Sequence, residues 1–168
     1  MFPIVDERNR TVAFGGRALS PEDRAKYINS PETPIYLKKR TLFGLDRAIE
    51  ASRKGRRVYI TEGYLDVMAL AQAGLSNVVA PLGTSFTNEQ AKLLKRWVDE
   101  VVLVFDADSA GVNATFKAAL VAEAVGLGCR AVGVTGGKDP AELYREDGAE
   151  AVQEMVSDAK PVFDFLLG

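Results

Sequence analysis

Residues 101–108 read Val-Val-Leu-Val-Phe-Asp-Ala-Asp, a run of five apolar residues followed by two aspartates at a spacing of two. A continuous apolar run of this kind is typical of a central parallel strand that is buried on both faces. The aspartates fall where that strand would end, and their spacing directs both side chains to the same side of an extended backbone. The stretch therefore predicts a parallel α/β sheet with an acidic group at the carboxyl end of its central strand.

Strand and helix patterns alternate on both sides of this stretch, from Arg57 onward. The strand patterns are short and β-branched, whereas the helix patterns repeat apolar residues every three to four positions. Alternation of this kind implies a parallel sheet with helices packed on its faces. The predicted strands are Val58–Thr61, Asn77–Pro81 and Arg130–Val134, and the predicted helices are Tyr64–Ala73, Thr87–Val98 and Ala110–Val125.

Further carboxylates follow the neighbouring strands at corresponding positions. Glu62 comes directly after the first strand and is followed by Gly63, which allows a sharp turn, and Asp66 lies one helical turn later. Asp139 follows the last strand and precedes Pro140. Each of these alone also fits an ordinary turn or helix cap.

The carboxyl ends of parallel strands meet at one edge of a sheet, so we expect these acidic side chains to gather there. Several carboxylates in one place cannot all stay ionised unless a cation neutralises them. The arrangement therefore predicts one or two divalent ions, which would stabilise phosphoryl oxygens and activate an attacking oxygen.

The composition narrows the chemistry further. The chain has 168 residues, of which 47% are hydrophobic and 26% charged, as in one soluble globular domain, and no apolar run approaches a membrane span. It contains no histidine and one cysteine, Cys129. Ser-His-Asp and Cys-His catalysis and Cys/His zinc sites are thus excluded, and a metal must be a hard ion held by carboxylates. The single cysteine fits a reducing, cytoplasmic setting.

Charge is distributed unevenly along the chain. Residues 1–57 carry 13 Lys and Arg against 7 Asp and Glu, and residues 58–168 carry 8 against 16. Both halves could simply carry solvated charge, but a basic front beside an acidic site also suggests a polyanionic partner.

The basic front begins with a hairpin pattern, Phe2–Val5 and Thr11–Phe14, which we expect to end at Gly15-Gly16. Prolines at 21, 31 and 34 argue against regular structure in the loop that follows, before a predicted helix at Leu42–Ser52. Short helices are expected at the end of the chain, over Pro140–Tyr144, Ala149–Ser157 and Pro161–Leu167.

Two basic clusters differ in context. The cluster Lys38-Lys39-Arg40 shares its loop-rich stretch with Arg17, Lys26 and Tyr27, side chains suited to gripping phosphate and stacking on an unpaired base. The cluster at 53–57 flanks a helix end and is interpreted as solvated surface. The aromatic residues Phe43, Trp97 and Phe116 are assigned to the core.

The acidic motifs resemble those of a known family. Glu62-Gly63-Tyr64-Leu65-Asp66, Asp106-Ala107-Asp108 and Asp139 are similar to the Toprim domain, which primases, type IA and II topoisomerases and some nucleases share. The front motifs narrow the resemblance to the RNA polymerase core of bacterial DnaG-type primases, and it covers nearly the whole chain. These motifs are Phe2-Pro3-Ile4, Phe14–Arg17, Lys26–Thr33, Leu42–Leu45 and Gly137–Pro140.

The resemblance implies an α/β fold: a Toprim-type parallel-sheet domain with flanking helices. A small basic β-hairpin and loop subdomain precedes it, and short C-terminal helices follow it. We expect the boundaries at 1–56 for the basic subdomain, 57–145 for the Toprim domain and 146–168 for the start of a helical region.

The resemblance also implies an activity, the metal-dependent synthesis of short RNA primers on single-stranded DNA for replication. Mg²⁺ or Mn²⁺ would be the cofactor. The single-stranded DNA template and ribonucleoside triphosphates would be the partners. The protein would act in the bacterial cytoplasm, at the nucleoid and not at a membrane. The implied catalytic residues are Glu62, Asp66, Asp106, Asp108 and Asp139, with all but Asp66 as metal ligands. The implied nucleic-acid and nucleotide-binding residues are Arg17, Lys26, Tyr27, Asn29 and Lys38.

The chain departs from the family pattern at one site position. The family often has an acidic residue two positions after the aspartate that precedes the proline, and this chain has Ala141 there, with Glu142 beside it. The sequence also has no zinc-binding module and no helicase-binding domain, so a replicative helicase would be a partner only through a domain absent here. We therefore expect an excised core with low activity on its own.

Three other functions remain open from the residues. The same carboxylates would serve a Toprim-type nuclease, although the front motifs and the absence of histidine speak against it. A nucleic-acid-binding fragment without activity is the second alternative. A phosphatase with an Asp-x-Asp nucleophile is the third, and it would leave Glu62-Gly63 without a role.

Overall fold

The structure is a computed structural model that describes residues 1–18, 27–106, 108–134 and 138–167. It confirms a mixed α/β fold with a predominantly parallel sheet and flanking helices. A second, antiparallel sheet is formed by the N-terminal residues.

The larger sheet contains five strands, of which the apolar stretch quoted first is the centre. These strands are β4 (Arg57–Ile60), β5 (Val78–Val79), β6 (Glu100–Phe105), β7 (Gly128–Gly133) and β8 (Lys160–Pro161). Their order is β5-β4-β6-β7-β8, and all pairs are parallel except β7 with β8. Strand β6 therefore has a parallel neighbour on each side, as its sequence predicts.

The described residues form six α-helices and one short 3₁₀ helix, Lys38–Arg40, which lie between and after the strands. Thr87 and Gln90 form a capping box at the start of the third α-helix: the Thr87 hydroxyl accepts from the Gln90 backbone amide, and the Gln90 side-chain oxygen accepts from the Thr87 backbone amide. The last long helix is broken at Gly148, whose φ of 84° is left-handed, so two helical pieces lie where two were predicted. The α-helices are α1 (Leu45–Ser52), α2 (Tyr64–Gln72), α3 (Asn88–Lys95), α4 (Ser109–Ala124), α5 (Pro140–Ser157) and α6 (Val162–Leu167).

Strand β6 is buried on both faces because the helices cover both sides of the sheet. Val102 and Val104 face a core shared with α2, α5 and the N-terminal sheet. The alternate residues Val101, Leu103 and Phe105 face a second core shared with α1, α3, α4 and α6. Leu103 and Val104 are fully inaccessible to solvent, which explains why the strand sequence has no polar alternation.

The N-terminal sheet consists of β1 (Phe2–Val5), β2 (Thr11–Arg17) and β3 (Tyr27–Asn29) in that order, all antiparallel. The hairpin is confirmed, but β2 continues through Gly15-Gly16 to Arg17, where the sequence predicts an end. Glycine is needed there because a Cβ on Gly15 would lie 2.5 Å from the Tyr64 hydroxyl. The third strand lies in the loop that the prolines led us to expect to be irregular.

Gln90 fastens the segment before α1 to α3. Its side chain is fully buried, and its Nε2 donates to the carbonyls of Lys38 and Thr41 at 3.0 and 2.9 Å. Because a buried amide must satisfy its hydrogen bonds, this contact fixes the position of the 3₁₀ helix.

The assignments of aromatic residues to the core and of one basic cluster to the surface can be compared directly with the structure. Phe43 is buried as expected, but Phe116 is wrong as a core residue because 47% of it is exposed on the outer face of α4. The inner face of α4 uses small residues instead, Ala118 and Ala119 among them. In the basic cluster at 53–57, Arg56 pairs with an aspartate and Arg57 with a glutamate at the surface, which fits the solvated interpretation.

In the part of the chain that the structure describes, no helix is long and apolar enough to cross a membrane.

Candidate active site

A cavity of about 390 Å³ lies where strands β4 and β6 end, and it brings the acidic and basic groups together. Four of the five predicted carboxylates and three of the predicted basic-front residues line it. The lining residues predicted from sequence are Glu62, Asp66, Asp106, Asp139, Arg17, Tyr27 and Asn29.

The acidic wall is built by close packing between the end of β6 and the start of α4. The backbone amide of Asp106 donates to Oε1 of Glu62 at 3.3 Å, which ties the ends of β6 and β4 together. A Cβ on Gly111 would lie 1.9 Å from the Asp106 carbonyl oxygen, so only glycine allows α4 to begin this close to the strand.

Three of the aspartates also have local structural roles. Asp108 caps α4 by accepting from the Gly111 amide at 2.7 Å, and Asp139 caps α5 by accepting from the amide three residues later at 2.7 Å. Asp66 accepts from the Gly63 amide at 3.0 Å at the start of α2. These aspartates therefore cap helices, and the same positions also place their charges at the acidic edge of the sheet.

Within residues 1–18, 27–106, 108–134 and 138–167, no group of three or more acidic or cysteine side chains is arranged to hold a metal ion. The caps account for part of this, because each capping aspartate turns one oxygen toward a backbone amide. The carboxylates share the cavity without converging on one point.

The carboxylates nevertheless interact strongly through their charges. Burial, together with the charges of Glu62, Asp139, Asp108 and Glu142, raises the pKa of Asp106 to about 6. Burial first, and then the charges of Asp139 and Asp106, raise the pKa of Asp66 to about 7. Protons would therefore be held at this edge of the sheet near neutral pH when no cation is bound.

This donor set fits a hard divalent cation. The available ligands are carboxylate oxygens, which Mg²⁺ and Mn²⁺ prefer, and the repulsion that raises the two pKa values is what a bound cation would relieve.

The opposite wall carries the basic and aromatic residues of the N-terminal sheet. The Arg17 guanidinium carbon lies 5.7 Å from the centre of the Tyr27 ring, a cation–π geometry. Burial raises the pKa of Tyr27. The charge of Arg17 lowers this pKa, whereas the charges of Asp66 and Asp139 raise it, so it depends on groups of both walls.

Asn29 holds this wall in place. Its Oδ1 accepts from the Tyr64 hydroxyl, and its Nδ2 donates to the Leu82 carbonyl at 3.3 Å. Both ends of the amide are therefore engaged by the protein, and the residue joins β3 to α2 and to the loop after β5.

Two predicted residues do not line the cavity in the structure, and a third cannot be compared with it. Asp108 is exposed beside it at the start of α4, although its charge reaches Asp106. Lys38 lies in the 3₁₀ helix that Gln90 fastens to α3. Lys26 lies outside the described residues.

The cavity also contains residues that sequence reasoning missed, chiefly Gly83 and Arg145. Gly83 follows β5 at the carboxyl edge, so the rule that found the other strand ends could have found it. Glu142, weighed beside Ala141, lines the cavity with it, and Arg145 lies 3.8 Å from Glu142.

The parallel sheet and its acidic edge define a Toprim-like domain, and a family model described as Toprim-like matches residues 59–144. A second model, described as the N-terminal domain of the DNA primase catalytic core, matches residues 1–49. The chain belongs to the family of bacterial DnaG-type primase catalytic cores, within the Toprim-like class.

Relatives and solved structures agree with this assignment. The chain is 41% identical to the DNA primase of Clostridium acetobutylicum over 98% of its length, and 42% identical to that of Escherichia coli K12 over 99%. It matches the RNA polymerase domain of Mycobacterium tuberculosis primase DnaG with a TM-score of 0.89 at 36% identity, over 98% of this chain and 56% of that one. A DnaG primase catalytic domain bound to single-stranded DNA gives a TM-score of 0.89 at 41% identity, over 99% and 53% of the two chains.

The chain spans only part of these proteins. It covers 27% of the length of the Clostridium primase and 29% of the length of the Escherichia coli primase.

Proposed function

We propose that this chain is the part of a DNA primase that joins ribonucleotides on a single-stranded DNA template. The observation that carries the proposal is one cavity whose acidic wall faces a wall of arginine, tyrosine and asparagine. The first wall suits phosphoryl chemistry, and the second suits a nucleotide or nucleic acid.

In this reaction the 3′ hydroxyl of one nucleotide attacks the α-phosphorus of the next. A new phosphorus–oxygen bond forms, the bond to pyrophosphate breaks, and the hydroxyl loses its proton. Glu62 is exposed at the acidic wall and held by the Asp106 amide, and we assign it the acceptance of that proton. Arg17 and Arg145 are the cations among the described lining residues of the cavity, and they would hold the triphosphate.

The cofactor would be Mg²⁺ or Mn²⁺, held by Asp106, Asp108 and Asp139, which leaves the carboxylate of Glu62, the fourth predicted ligand, free to accept the proton. When bound, the ion stabilises negative charge on phosphoryl oxygens and lowers the pKa of an attacking oxygen. Glu142 supplies the negative charge that Ala141 lacks, since it lines the same cavity and acts on Asp106. Asp66, which is more deeply placed, completes the acidic wall.

The partners follow from the same two walls. One matched DnaG catalytic domain has been solved with single-stranded DNA, and we propose single-stranded DNA as the template here, with ribonucleoside triphosphates as substrates. Tyr27, Asn29 and Lys26 would contact nucleic acid or nucleotide, and Lys38 would contact the template further from the cavity. A replicative helicase would contact the primase only through another domain. The protein would act in the bacterial cytoplasm, at the nucleoid.

We propose the same division of the chain as above, at 1–56, 57–145 and 146–168, and weak activity for this segment alone. The first two units share one core, because Ile4 and Tyr36 pack with residues of α2. The basic wall is therefore rigidly placed against the acidic wall.

A nuclease and an inactive binding fragment are less well supported, since the relatives are primases and the basic wall faces the reacting edge. The test is incubation with a single-stranded DNA template, labelled ribonucleoside triphosphates and Mn²⁺, with Asp106→Asn as the matched inactive control. Template-dependent RNA that the variant does not make supports the proposal. Cleavage of the DNA supports a nuclease, and salt-dependent binding without any product supports a binding fragment.

A further inference from the structure

A second cavity, of about 350 Å³, adjoins the candidate active site. The two cavities share three lining residues, Glu62, Pro81 and Gly83, so the acidic residue assigned to the proton lies between them. The rest of the second cavity is formed by the loop after β5, by the ends of β4 and β6 and by the middle of α4.

The second cavity has a different chemistry from the first. Its lining combines the apolar residues Phe86 and Phe105 and small residues of α4 with the exposed hydroxyl-bearing residues Thr84 and Ser85. Lys117 is its only cation among the described lining residues. No carboxylate in the described part of the chain pairs with Lys117.

These groups match a nucleoside that carries little phosphate charge. A flat base suits an apolar surface, the hydroxyls suit polar edges of the sugar or base, and one lysine suits one phosphate group. The first cavity, with Arg17 and Arg145 and the acidic wall, suits a triphosphate better. The volume is also large enough for a ligand of this size.

Joining two nucleotides requires one on each side of the reacting groups. We propose that the second cavity binds the accepting nucleotide, the one whose 3′ hydroxyl attacks, while the first binds the incoming triphosphate. This inference rests on the proposed function. The oxygen of that hydroxyl forms the new bond to the α-phosphorus, pyrophosphate leaves toward the first cavity, and the proton passes to Glu62 between the two.

Adenosine 5′-monophosphate is a selective probe of this subsite, because it can accept a nucleotide but has no pyrophosphate to lose. At 18.2 kDa the chain is suited to amide chemical-shift titration without divalent metal. We expect the monophosphate to shift the amides of Thr84, Ser85 and Lys117 more than those of Tyr27 and Asn29. The reverse pattern, or no shift at millimolar concentrations, would overturn the inference while leaving the proposed polymerisation standing.

A steric variant checks the same cavity without removing charge. Ala114→Leu places a larger side chain in the lining of the second cavity, on the half-buried side of α4. We expect it to abolish the shifts caused by the monophosphate with little change in melting temperature. Unchanged shifts in a variant that melts like the parent would contradict this location.

Kinetics separate the two nucleotide positions. With the monophosphate as acceptor, Lys117→Ala should raise the KM for the acceptor about five- to tenfold, because one charged contact is lost. The KM for the triphosphate should stay within about twofold of the parent value. Lys92→Ala, an exposed lysine on α3, is the matched control. An equal rise in both KM values would mean that Lys117 acts elsewhere, and that result would refute the assignment. If no variant or parent makes product while the monophosphate still shifts the cavity, the proposed function fails and the binding site remains.

Discussion

Replacing Asp66 by asparagine should stabilise the metal-free protein above neutral pH. Burial and neighbouring carboxylates raise the pKa of Asp66 from 3.8 to about 7 in the folded state. A group with a raised folded pKa makes the folded state bind more protons than the unfolded chain between these values. The free energy of unfolding therefore falls as pH rises through this window.

The size of the effect follows from the same values. The rise from 3.8 to about 7 corresponds to about 4 kcal/mol, at about 1.4 kcal/mol for each tenfold change in proton affinity. Asp66 is half-buried, and water relaxation in the cavity reduces this to about 2 kcal/mol. The Gly63 amide can still donate to the asparagine side-chain oxygen, so the local cap is kept.

The assay is urea unfolding in EDTA at pH 5 and pH 8, with Glu154→Gln, an exposed residue of α5, as the control for loss of one negative charge. We expect Asp66→Asn to exceed the parent by about 2 kcal/mol at pH 8 and by much less at pH 5, where the parent carboxyl is already protonated. A variant that is no more stable at pH 8, or whose advantage is equal at both pH values, would refute the reasoning.

Three further predictions address other parts of the molecule. Gly111→Ala should cost about 2–3 kcal/mol and disturb the acidic wall, because its Cβ would overlap the Asp106 carbonyl. The control is Gly55→Ala, where a Cβ would meet open space, and it should leave the free energy of unfolding unchanged. Arg17→Ala should lower the slope of log affinity for single-stranded DNA against log salt by about 1, and an unchanged slope would leave it as surface charge. Gln90→Ala should cost about 1–3 kcal/mol, because it removes the side-chain hydrogen bonds to the Lys38 and Thr41 carbonyls from a buried position, and a loss below about 0.5 kcal/mol would contradict that role.

The central sheet and its acidic edge could be predicted because their signals are local. The apolar run ending at Phe105 is buried on both faces, and the turn and cap residues after each strand directly specify where helices begin. Since parallel strands end at one edge, local patterns were enough to bring Glu62 and Asp106 together. The roles of these carboxylates in catalysis and metal binding stay predictions.

The arrangement of the basic front could not be predicted, because it depends on contacts distant in sequence. Strand β3 forms by pairing with β2, and Gly15 is required by the Tyr64 ring rather than by a turn. Asn29 joins three elements through one amide, and the position of Lys38 depends on Gln90, 52 residues later. The exposed position of Phe116 likewise reflects which face of α4 packs on the sheet, which its alanine-rich sequence does not determine.

The most direct test of the account is a crystal of this protein soaked in Mn²⁺ with a ribonucleoside triphosphate, examined by anomalous diffraction. The account predicts manganese density in the acidic cavity, in contact with Glu62, Asp106 or Asp139, and its loss in Asp106→Asn. Manganese bound only outside that cavity, or bound there equally in the variant, would contradict the claim that this edge of the sheet is the reacting centre.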